Sequence, residues 1–273
     1  MQQKNGLKHK VKQHVSVALL LFVFAYKPSF GQTVSVQGDF VAAAADVYGN
    51  VYAIDAQLNL IKYSKKLDTI RVLSVSNLGN NPCIDASNPL EVFVFFGSTG
   101  KVVWFDNQLN QQSVVDLFGA GISKPVGFGR ANDGNIWVLD NNNNTLKKVN
   151  REGNLVVESV AISNFVPQKE VTKIWDDGEN IIIADDSLYA YIFNRNLLLQ
   201  QRVKIPYKLL GIEGDYFIGS KDSAVYKYTY RLGTIKQQKI ETQLPPLTWL
   251  LQKTATILLC SSAGKITLQP ISE

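Results

Sequence analysis

Histidine is nearly absent from this chain of 273 residues. The only two, His9 and His14, lie within the first 31 residues, so residues 32–273 contain none. A histidine general base, a Ser/His/Asp or Cys/His pair and a histidine metal ligand are therefore excluded from residues 32–273.

Cysteine is equally scarce. Cys83 and Cys260 are too few for a disulfide framework, and they lack the spacing of metal ligands. Each stands beside apolar residues, so we expect both to be small buried hydrophobic residues. A bridge between them, formed in an oxidising compartment, is the alternative.

The chain also lacks an apolar run long enough to span a bilayer, which needs about 20 residues. Its uncharged run at Val15–Tyr26 has twelve residues, follows four lysines and precedes the small residues Ser29 and Gly31. This order is typical of a cleaved secretory signal peptide. We therefore predict a signal peptide at 1–31, a mature protein at 32–273 with no membrane span, and a periplasmic or secreted location.

Excess positive charge is absent from the mature chain. Residues 1–31 hold five lysines and no acid, so their removal lowers Lys+Arg from 28 to 23, against 23 Asp+Glu. The sequence pI of about 9.0 thus comes from the signal segment. Because no basic footprint remains, we expect no nucleic-acid partner.

A pattern of short apolar strands recurs six times in the mature chain. The most apolar strand of each copy starts at residue 51, 92, 136, 181, 216 or 257, at steps of 41, 44, 45, 35 and 41 residues. A shorter strand precedes it, joined to it in four of the copies by a glycine-containing turn. A third strand follows, with a half-polar outer strand after it in every copy but the last. Repeats of about 40 residues with this texture indicate the blades of a β-propeller.

The two ends of the chain complement each other. The sixth copy stops after its third strand, whereas the β-branched segment Thr33–Val36 has no place in the first copy. We therefore predict an all-β fold, a six-bladed β-propeller of four-stranded antiparallel blades, whose ring is closed by the N-terminal strand completing the last blade. Closure of this kind removes two open sheet edges.

The segment DGNIWVLD at 133–140, followed by LKKVN and EGN, resembles six-bladed propellers of the NHL, gluconolactonase and streptogramin-lyase-like superfamily. The residues that carry the resemblance are structural, so it implies an architecture more than an activity. The end of the signal segment and the Asn/Lys/Ile-rich composition are similar to exported proteins of Bacteroidetes-type bacteria. Streptogramin-type lyases require a histidine, which residues 32–273 lack.

Carboxylates suggest a metal site. Asp55, Asp140 and Asp185 close three of the apolar strands at one rim, and oxygen ligands of this type suit Ca²⁺ or Mg²⁺. The resemblance to gluconolactonase-type enzymes implies a cation in the tunnel held by Glu, Asn and Asp, and Asp85 is the only carboxylate that we expect near the axis. The alternative is that each aspartate at the rim bonds backbone N–H groups of the next turn.

Loop residues suggest a contact surface instead. Aromatic, cationic and amide side chains in the loops that enter or follow the apolar strands are candidates for binding a protein or a glycan. They are Tyr207, Lys208, Lys124, Lys169, Asn141 and Asn142. A polar turn without a binding role is the alternative for the two asparagines.

These observations favour an exported, non-catalytic binding or scaffold propeller of the cell envelope, with an envelope protein or glycan as its partner and no required cofactor. The alternative is a divalent-metal-dependent hydrolase or lactonase of the gluconolactonase-like type, built on the same ring. A purely structural subunit of a larger envelope complex is a third possibility.

Overall fold

The computed structural model describes residues 34–163, 166, 171–185, 188–205, 208–213, 216–221, 224–230, 237–240, 247–253, 256–261 and 264–270. Regular structure in these residues consists of β-strands. None of the described residues belongs to a helix long and apolar enough to cross a membrane. The predicted signal peptide lies outside them, and its cleavage stays a prediction.

The strands follow one another along the chain in short steps. After β1 (Val34–Gln37), the first sheet contains β2 (Phe40–Ala45), β3 (Val51–Asp55), β4 (Asn59–Tyr63) and β5 (Thr69–Ser74). The second contains β6 (Pro82–Asn88), β7 (Glu91–Phe96), β8 (Lys101–Asp106) and β9 (Gln111–Asp116). The third contains β10 (Pro125–Arg130), β11 (Ile136–Asp140), β12 (Thr145–Val149) and β13 (Leu155–Glu158).

The later sheets repeat this pattern. The fourth contains β14 (Val171–Asp176), β15 (Asn180–Asp185), β16 (Tyr189–Asn194) and β17 (Leu199–Lys204). The fifth contains β18 (Lys208–Glu213), β19 (Tyr216–Lys221), β20 (Ala224–Thr229) and β21 (Gln237–Ile240). The last contains β22 (Leu247–Lys253), β23 (Thr256–Ser261), β24 (Lys265–Pro270) and the N-terminal β1.

Within the described residues, these strands form six four-stranded antiparallel sheets, each in chain order except for β1. Strand β1 pairs with β24, and Val34 lies opposite Leu268 and Val36 opposite Ile266. The predicted pairing of the N-terminal segment with the last repeat is therefore confirmed. Four-stranded antiparallel blades of an all-β propeller were predicted, and the sheets have that form.

Large apolar side chains hold neighbouring sheets together. Tyr52 of the first sheet packs in one cluster with Phe96 of the second, and Trp104 of the second packs with Phe128 of the third. Further clusters join the third sheet to the fourth, the fourth to the fifth and the last to the first. The second strands are buried on both faces, because each faces two neighbouring sheets, which explains their unbroken apolar runs.

A five-residue turn recurs between the strands. A side-chain oxygen of its first residue accepts the backbone N–H groups of the third and fifth residues, and its fourth residue has a positive φ. Asp106 at the turn after β8 accepts from Gln108 and Asn110 at 2.8 Å each. Glycine is the usual choice at positive φ, but in several turns whose five residues are all described leucine occupies the fourth position, as at Leu58, Leu67, Leu109 and Leu197.

Burial explains the leucines. Leu109, with φ 60°, is fully buried in the cluster between the first two sheets. The left-handed conformation costs an L-residue about 1–2 kcal/mol, whereas removing a buried leucine side chain costs about 2–5 kcal/mol. Core packing therefore outweighs the backbone strain at this position.

The substitutions Leu109→Gly and Leu109→Ala separate these two effects. Both lose the buried side chain, but glycine also releases the strain, so we expect the Gly variant to be more stable than the Ala variant by about 1 kcal/mol. Both should unfold more easily than the wild type in denaturant titrations. An Ala variant at least as stable as the Gly variant would show that the backbone is not strained there.

Close approach of two inner strands fixes another residue. A Cβ atom on Gly129 of β10 would lie 1.8 Å from the backbone oxygen of Ile174 in β14. No side chain fits in that space, and the obstacle is backbone, which cannot move without shifting a strand.

We therefore expect Gly129→Ala to destabilise the protein by several kcal/mol, on the order of the largest single-substitution effects. Gly211 of the inner strand β18 is the matched control, because no described atom lies within 4 Å of its Cβ position and its φ is not positive. Gly211→Ala should change the free energy of unfolding by about 1 kcal/mol or less. Equal effects of the two substitutions on thermal unfolding would contradict the close approach.

Candidate functional site

A cavity of about 250 Å³ lies among the ends of four consecutive inner strands, β6, β10, β14 and β18. Inner strands are the first strands of the sheets, and they end at the turns that lead into the second strands. We call this cavity the axial cavity. Its lining mixes carboxylates, one guanidinium, one hydroxyl and apolar side chains: Asp85, Ser87, Arg130, Ile174, Trp175, Asp176, Asp177 and Ile212.

An irregularity in β6 places two of these residues. The register with β7 shifts between Asp85 and Asn88, so Ala86 and Ser87 have no paired residue on β7. In the other inner strands the shift falls nearer the start of the strand. Because a bulge bends a strand and re-aims its side chains, β6 presents Asp85 and Ser87 to the cavity.

The carboxylate of Asp85 is ionised at neutral pH. Burial alone would raise its pKa, but the charge of Lys173, hydrogen bonds from Ser87 and the charge of Arg130 outweigh burial and hold the pKa below its usual value. The backbone N–H of Ser87 donates to Oδ1 at 2.9 Å. Lys173 lies beside the cavity, with its Nζ 5.6 Å from the ring centroid of Trp175.

Arg130 is held from the neighbouring sheet. Its Nη2 donates to Glu91 at 2.9 Å, and its guanidinium carbon lies 4.6 Å from the ring centroid of Phe93. Arg151 also donates to Glu91, at 2.7 Å. Burial would raise the pKa of Glu91, but hydrogen bonds from the two arginines and their charges lower it overall. The charge of Arg130 is thus already paired.

Asp176 accepts hydrogen bonds from several donors, and its side chain is completely buried. It accepts from the Trp137 indole at 2.9 Å, from the Arg195 guanidinium at 2.7 Å and from the backbone of Asn132 at 3.1 Å. Burial opposes ionisation, but these donors together lower its pKa. Hydrogen bonds across two sheets therefore converge on one carboxylate.

Asp177 makes the corresponding link to the fifth sheet. The hydroxyl of Tyr230 donates to it at 2.7 Å, and the backbone of Asn180 donates at 2.6 Å. Its pKa is also lowered, because these hydrogen bonds outweigh burial. All three carboxylates of the axial cavity are consequently ionised at neutral pH.

Sequence reasoning found part of this cavity. Asp85 was predicted near the axis, and it lines the cavity. The expectation that Asp85 is the only carboxylate there is wrong, because Asp176 and Asp177 also line it. A usable signal was the glycine turn that follows Asp177, since the residues before such a turn end an inner strand.

Several of the predicted loop residues lie together at the opposite ends of the strands, on what we call the loop face. The backbone N–H of Asn141 donates to the carbonyl of Lys124 at 2.9 Å, and the N–H of Lys124 donates to Asp140 at 3.1 Å. The N–H of Asn142 also donates to Asp140, at 3.2 Å. Lys124 and Asn142 are exposed.

Exposed apolar residues flank this group. Val160 is 74% exposed and Phe118 is 47% exposed. Contacts join the segments that carry these two residues to the loop after β11 and to β12. The backbone N–H of Ile162, close to Val160, donates to the carbonyl of Asn144 at 2.8 Å. The Lys147 ammonium lies 3.5 Å from the carbonyl oxygen of Gly121, close to Phe118. We call Phe118, Lys124, Asn142 and Val160 the loop-face patch.

The rim aspartates are engaged within the protein. Asp140 forms a buried ion pair with Lys147 at 3.0 Å. Burial alone would raise the pKa of Asp140, but this ion pair and the hydrogen bonds that Asp140 accepts lower it overall. Asp55 accepts the backbone N–H groups of Gln57 and Asn59 at 3.0 and 2.8 Å. Asp185 accepts from the Tyr191 hydroxyl at 3.0 Å, and burial followed by this hydrogen bond raises the pKa of Tyr191 to about 12.

The four predicted metal ligands do not meet at one place. Asp55, Asp140 and Asp185 end second strands at the loop face, whereas Asp85 lies in the axial cavity at the other ends of the strands. Among the residues that the structure describes, no group of three or more His, Cys, Asp or Glu side chains is arranged to hold a metal ion. The local hydrogen bonds match the alternative role in turns.

The remaining candidates give less information. Tyr207 and Lys169 lie outside the described residues, and Lys208 begins β18. Cys83 is a free thiol, so the disulfide alternative does not hold for it. Burial raises the pKa of this thiol; the charge of Lys173 acts to lower the pKa, and the charge of Asp85 acts to raise it.

Comparison with solved structures identifies the class of fold as a β-propeller. Virginiamycin B lyase from Staphylococcus aureus matches with a TM-score of 0.62 and 10% identity, over 88% of this chain and 99% of that chain. A streptogramin B lyase matches with a TM-score of 0.59 and 12% identity, over 88% of each chain. The Cps50 (Swd1) β-propeller domain of Myceliophteria thermophila matches with 0.62 and 9%, over 89% and 99%.

No protein-family model matches the sequence, and no curated protein matches it. At these low identities, the structural neighbours establish the propeller fold and not an activity.

The ionised carboxylates of the axial cavity predict how stability depends on pH. The folded-state pKa of Asp176 lies below its ordinary value of 3.8, so its contribution is present above that pH and is lost as the pH falls through the folded pKa. We expect Asp176→Asn to lower the free energy of unfolding at pH 7 by about 2 kcal/mol. The variant should also lose less stability than the wild type in acid.

Asp133→Asn is the control at pH 7. Asp133 forms an ion pair with Lys148 at 2.7 Å, but its side chain is 43% exposed, so its loss should cost less than the loss of Asp176. Denaturant titrations at pH 7 and below pH 4 would measure both effects. Parallel acid profiles for the wild type and Asp176→Asn would contradict the assignment.

Proposed function

We propose that the protein is an exported, six-bladed, non-catalytic binding or scaffold propeller of the cell envelope, periplasmic or secreted, that recognises a protein or a glycan through its loop face. The observation that carries this proposal is the loop-face patch, where the exposed Phe118 and Val160 flank Lys124 and Asn142. Aromatic and apolar anchors beside polar groups are typical of contact surfaces.

Hydrogen bonds give this patch a defined shape. Asp140, held by its buried ion pair with Lys147, accepts the backbone N–H groups of Lys124 and Asn142. Two loops are thereby fixed to the buried strands beneath them. Because these loops are already ordered, binding a partner would cost little loop entropy, which favours recognition by a preformed surface.

Lyase activity does not transfer with the fold. One structural neighbour is described as a catalytically inactive variant of virginiamycin B lyase with quinupristin, in which alanine replaces a histidine. Residues 32–273 of this chain contain no histidine. We therefore propose a binding propeller without lyase activity.

The metal-dependent hydrolase alternative has weaker support. Its candidate ligands are divided between the two faces, and Asp140 is committed to Lys147 in an ion pair whose side chains are 2% and 7% exposed. Binding at the loop-face patch needs neither Ca²⁺ nor Mg²⁺.

A charge-reversal pair tests this proposal. The purified protein would be immobilised and exposed to an envelope fraction in excess chelator, and the retained proteins and glycans would be quantified. We expect Lys124→Glu to reduce retention of the main component about tenfold. Lys65→Glu, which makes the same charge change at an exposed position in the turn after β4, should leave it unchanged.

Two results would contradict the proposal. Retention that is equal for the two variants would remove the loop-face patch as the contact surface. Hydrolysis of lactones or esters that depends on added Ca²⁺ or Mg²⁺ and is abolished by Asp140→Asn would establish the enzyme alternative.

A further inference from the structure

The axial cavity is separate from the loop-face patch and has the dimensions of a small ligand site. Its volume of about 250 Å³ falls just below the range of roughly 300–1,000 Å³ for pockets that enclose drug-sized ligands. It therefore suits a single ring or one side chain rather than an extended molecule.

The charged groups around the cavity are engaged within the protein by ion pairs or hydrogen bonds. Asp176 is paired with Arg195 and Arg130 with Glu91, and Lys173 provides the main positive charge that favours ionisation of Asp85. A ligand with a net charge would lose its hydration on entering, and the lining charges that it would meet are already engaged, Asp177 by hydrogen bonds from Tyr230 and the backbone of Asn180. The cavity therefore favours a neutral ligand.

The lining nevertheless offers strong hydrogen-bonding groups. The carboxylates of Asp85 and Asp177 are ionised acceptors, and the Arg130 guanidinium is a donor. A neutral hydroxyl can donate to a carboxylate and accept from a guanidinium, and such charge-assisted bonds are stronger than those between neutral groups. Ionised acceptors thus suit a ligand that carries several hydroxyls.

Apolar side chains complete the lining. Trp175, Ile174 and Ile212 give the cavity an apolar wall, which requires a matching C–H surface on the ligand. A sugar ring combines these features, because its hydroxyls lie around the edge and its C–H groups form its faces.

We propose that the axial cavity binds a neutral sugar ring. The site goes beyond the proposed function, because it lies at the strand ends opposite the loop-face patch and uses different residues. Asp85 and Ser87 give the site its particular shape, since the displaced bulge in β6 brings both to the cavity.

The test measures the binding of uncharged methyl glycosides of glucose, galactose, mannose and N-acetylglucosamine to the purified protein by ligand-observed NMR and calorimetry. At least one should bind. Ser87→Phe should weaken that binding about tenfold or more, because Ser87 is exposed at the cavity and a phenyl group would occupy it. Ser76→Phe, at another exposed serine, should have no effect.

A second pair of variants separates recognition from blocking. Asp85→Asn should also weaken binding, because a neutral amide is a poorer acceptor for hydroxyls than a carboxylate. Asp133→Asn replaces an acid that does not line the cavity and should leave binding unchanged. Thermal unfolding of each variant would confirm that it is folded.

Three outcomes would overturn the proposal. The first is that no neutral glycoside binds the folded wild type. The second is that Ser87→Phe and Ser76→Phe bind equally well. The third is that glucosamine or the peptide Gly-Lys-Gly binds more tightly than every neutral glycoside, which would assign the cavity to a cationic group. None of these would affect the dependence of envelope capture on Lys124, so the two proposals fail separately.

Discussion

Contact between neighbouring sheets is the constraint on which this protein depends. Each sheet has two apolar faces, and no strand-to-strand hydrogen bond joins one of the described sheets to the next. Cohesion must therefore come from side chains such as Trp104 and Phe128, packed between the sheets. The inner strands β10 and β14 approach so closely at Gly129 and Ile174 that even a methyl group has no space there. Leucines in strained turns follow from the same demand, because filling the space between sheets yields more free energy than relaxing the backbone would.

Several polar links between sheets lie where the inner strands end. Glu91 binds Arg130 and Arg151 of the next sheet, Asp176 accepts from Trp137 of the preceding one, and Asp177 accepts from Tyr230 of the following one. These bonds engage many of the charged groups around the axial cavity and fix the positions of the lining side chains. The groups that hold the sheets in place therefore also form the cavity wall.

The sequence predicted the fold far better than the sites. Strands β3 and β11 begin and end at the predicted residues, and the N-terminal segment pairs where expected, because apolar runs and glycine turns are local signals. The partners of Asp140 were not predictable in this way. Lys147 lies on a strand whose five residues are all buried, although a lysine is ordinarily expected at the surface. The axial cavity combines residues from four sheets, and the register shift in β6 that shapes it has no evident local signature.

The two faces of the propeller differ in how they could acquire a ligand. The loop-face patch is open, carries exposed apolar side chains and is supported by a buried ion pair, as suits a broad macromolecular contact. The axial cavity is small, and its charged groups are fixed by bonds from neighbouring sheets. Because those bonds already position its acceptors, a neutral ligand there would meet a preorganised lining. The axial cavity and the loop-face patch share no residue, and the second strands that run between the two faces are buried on both sides.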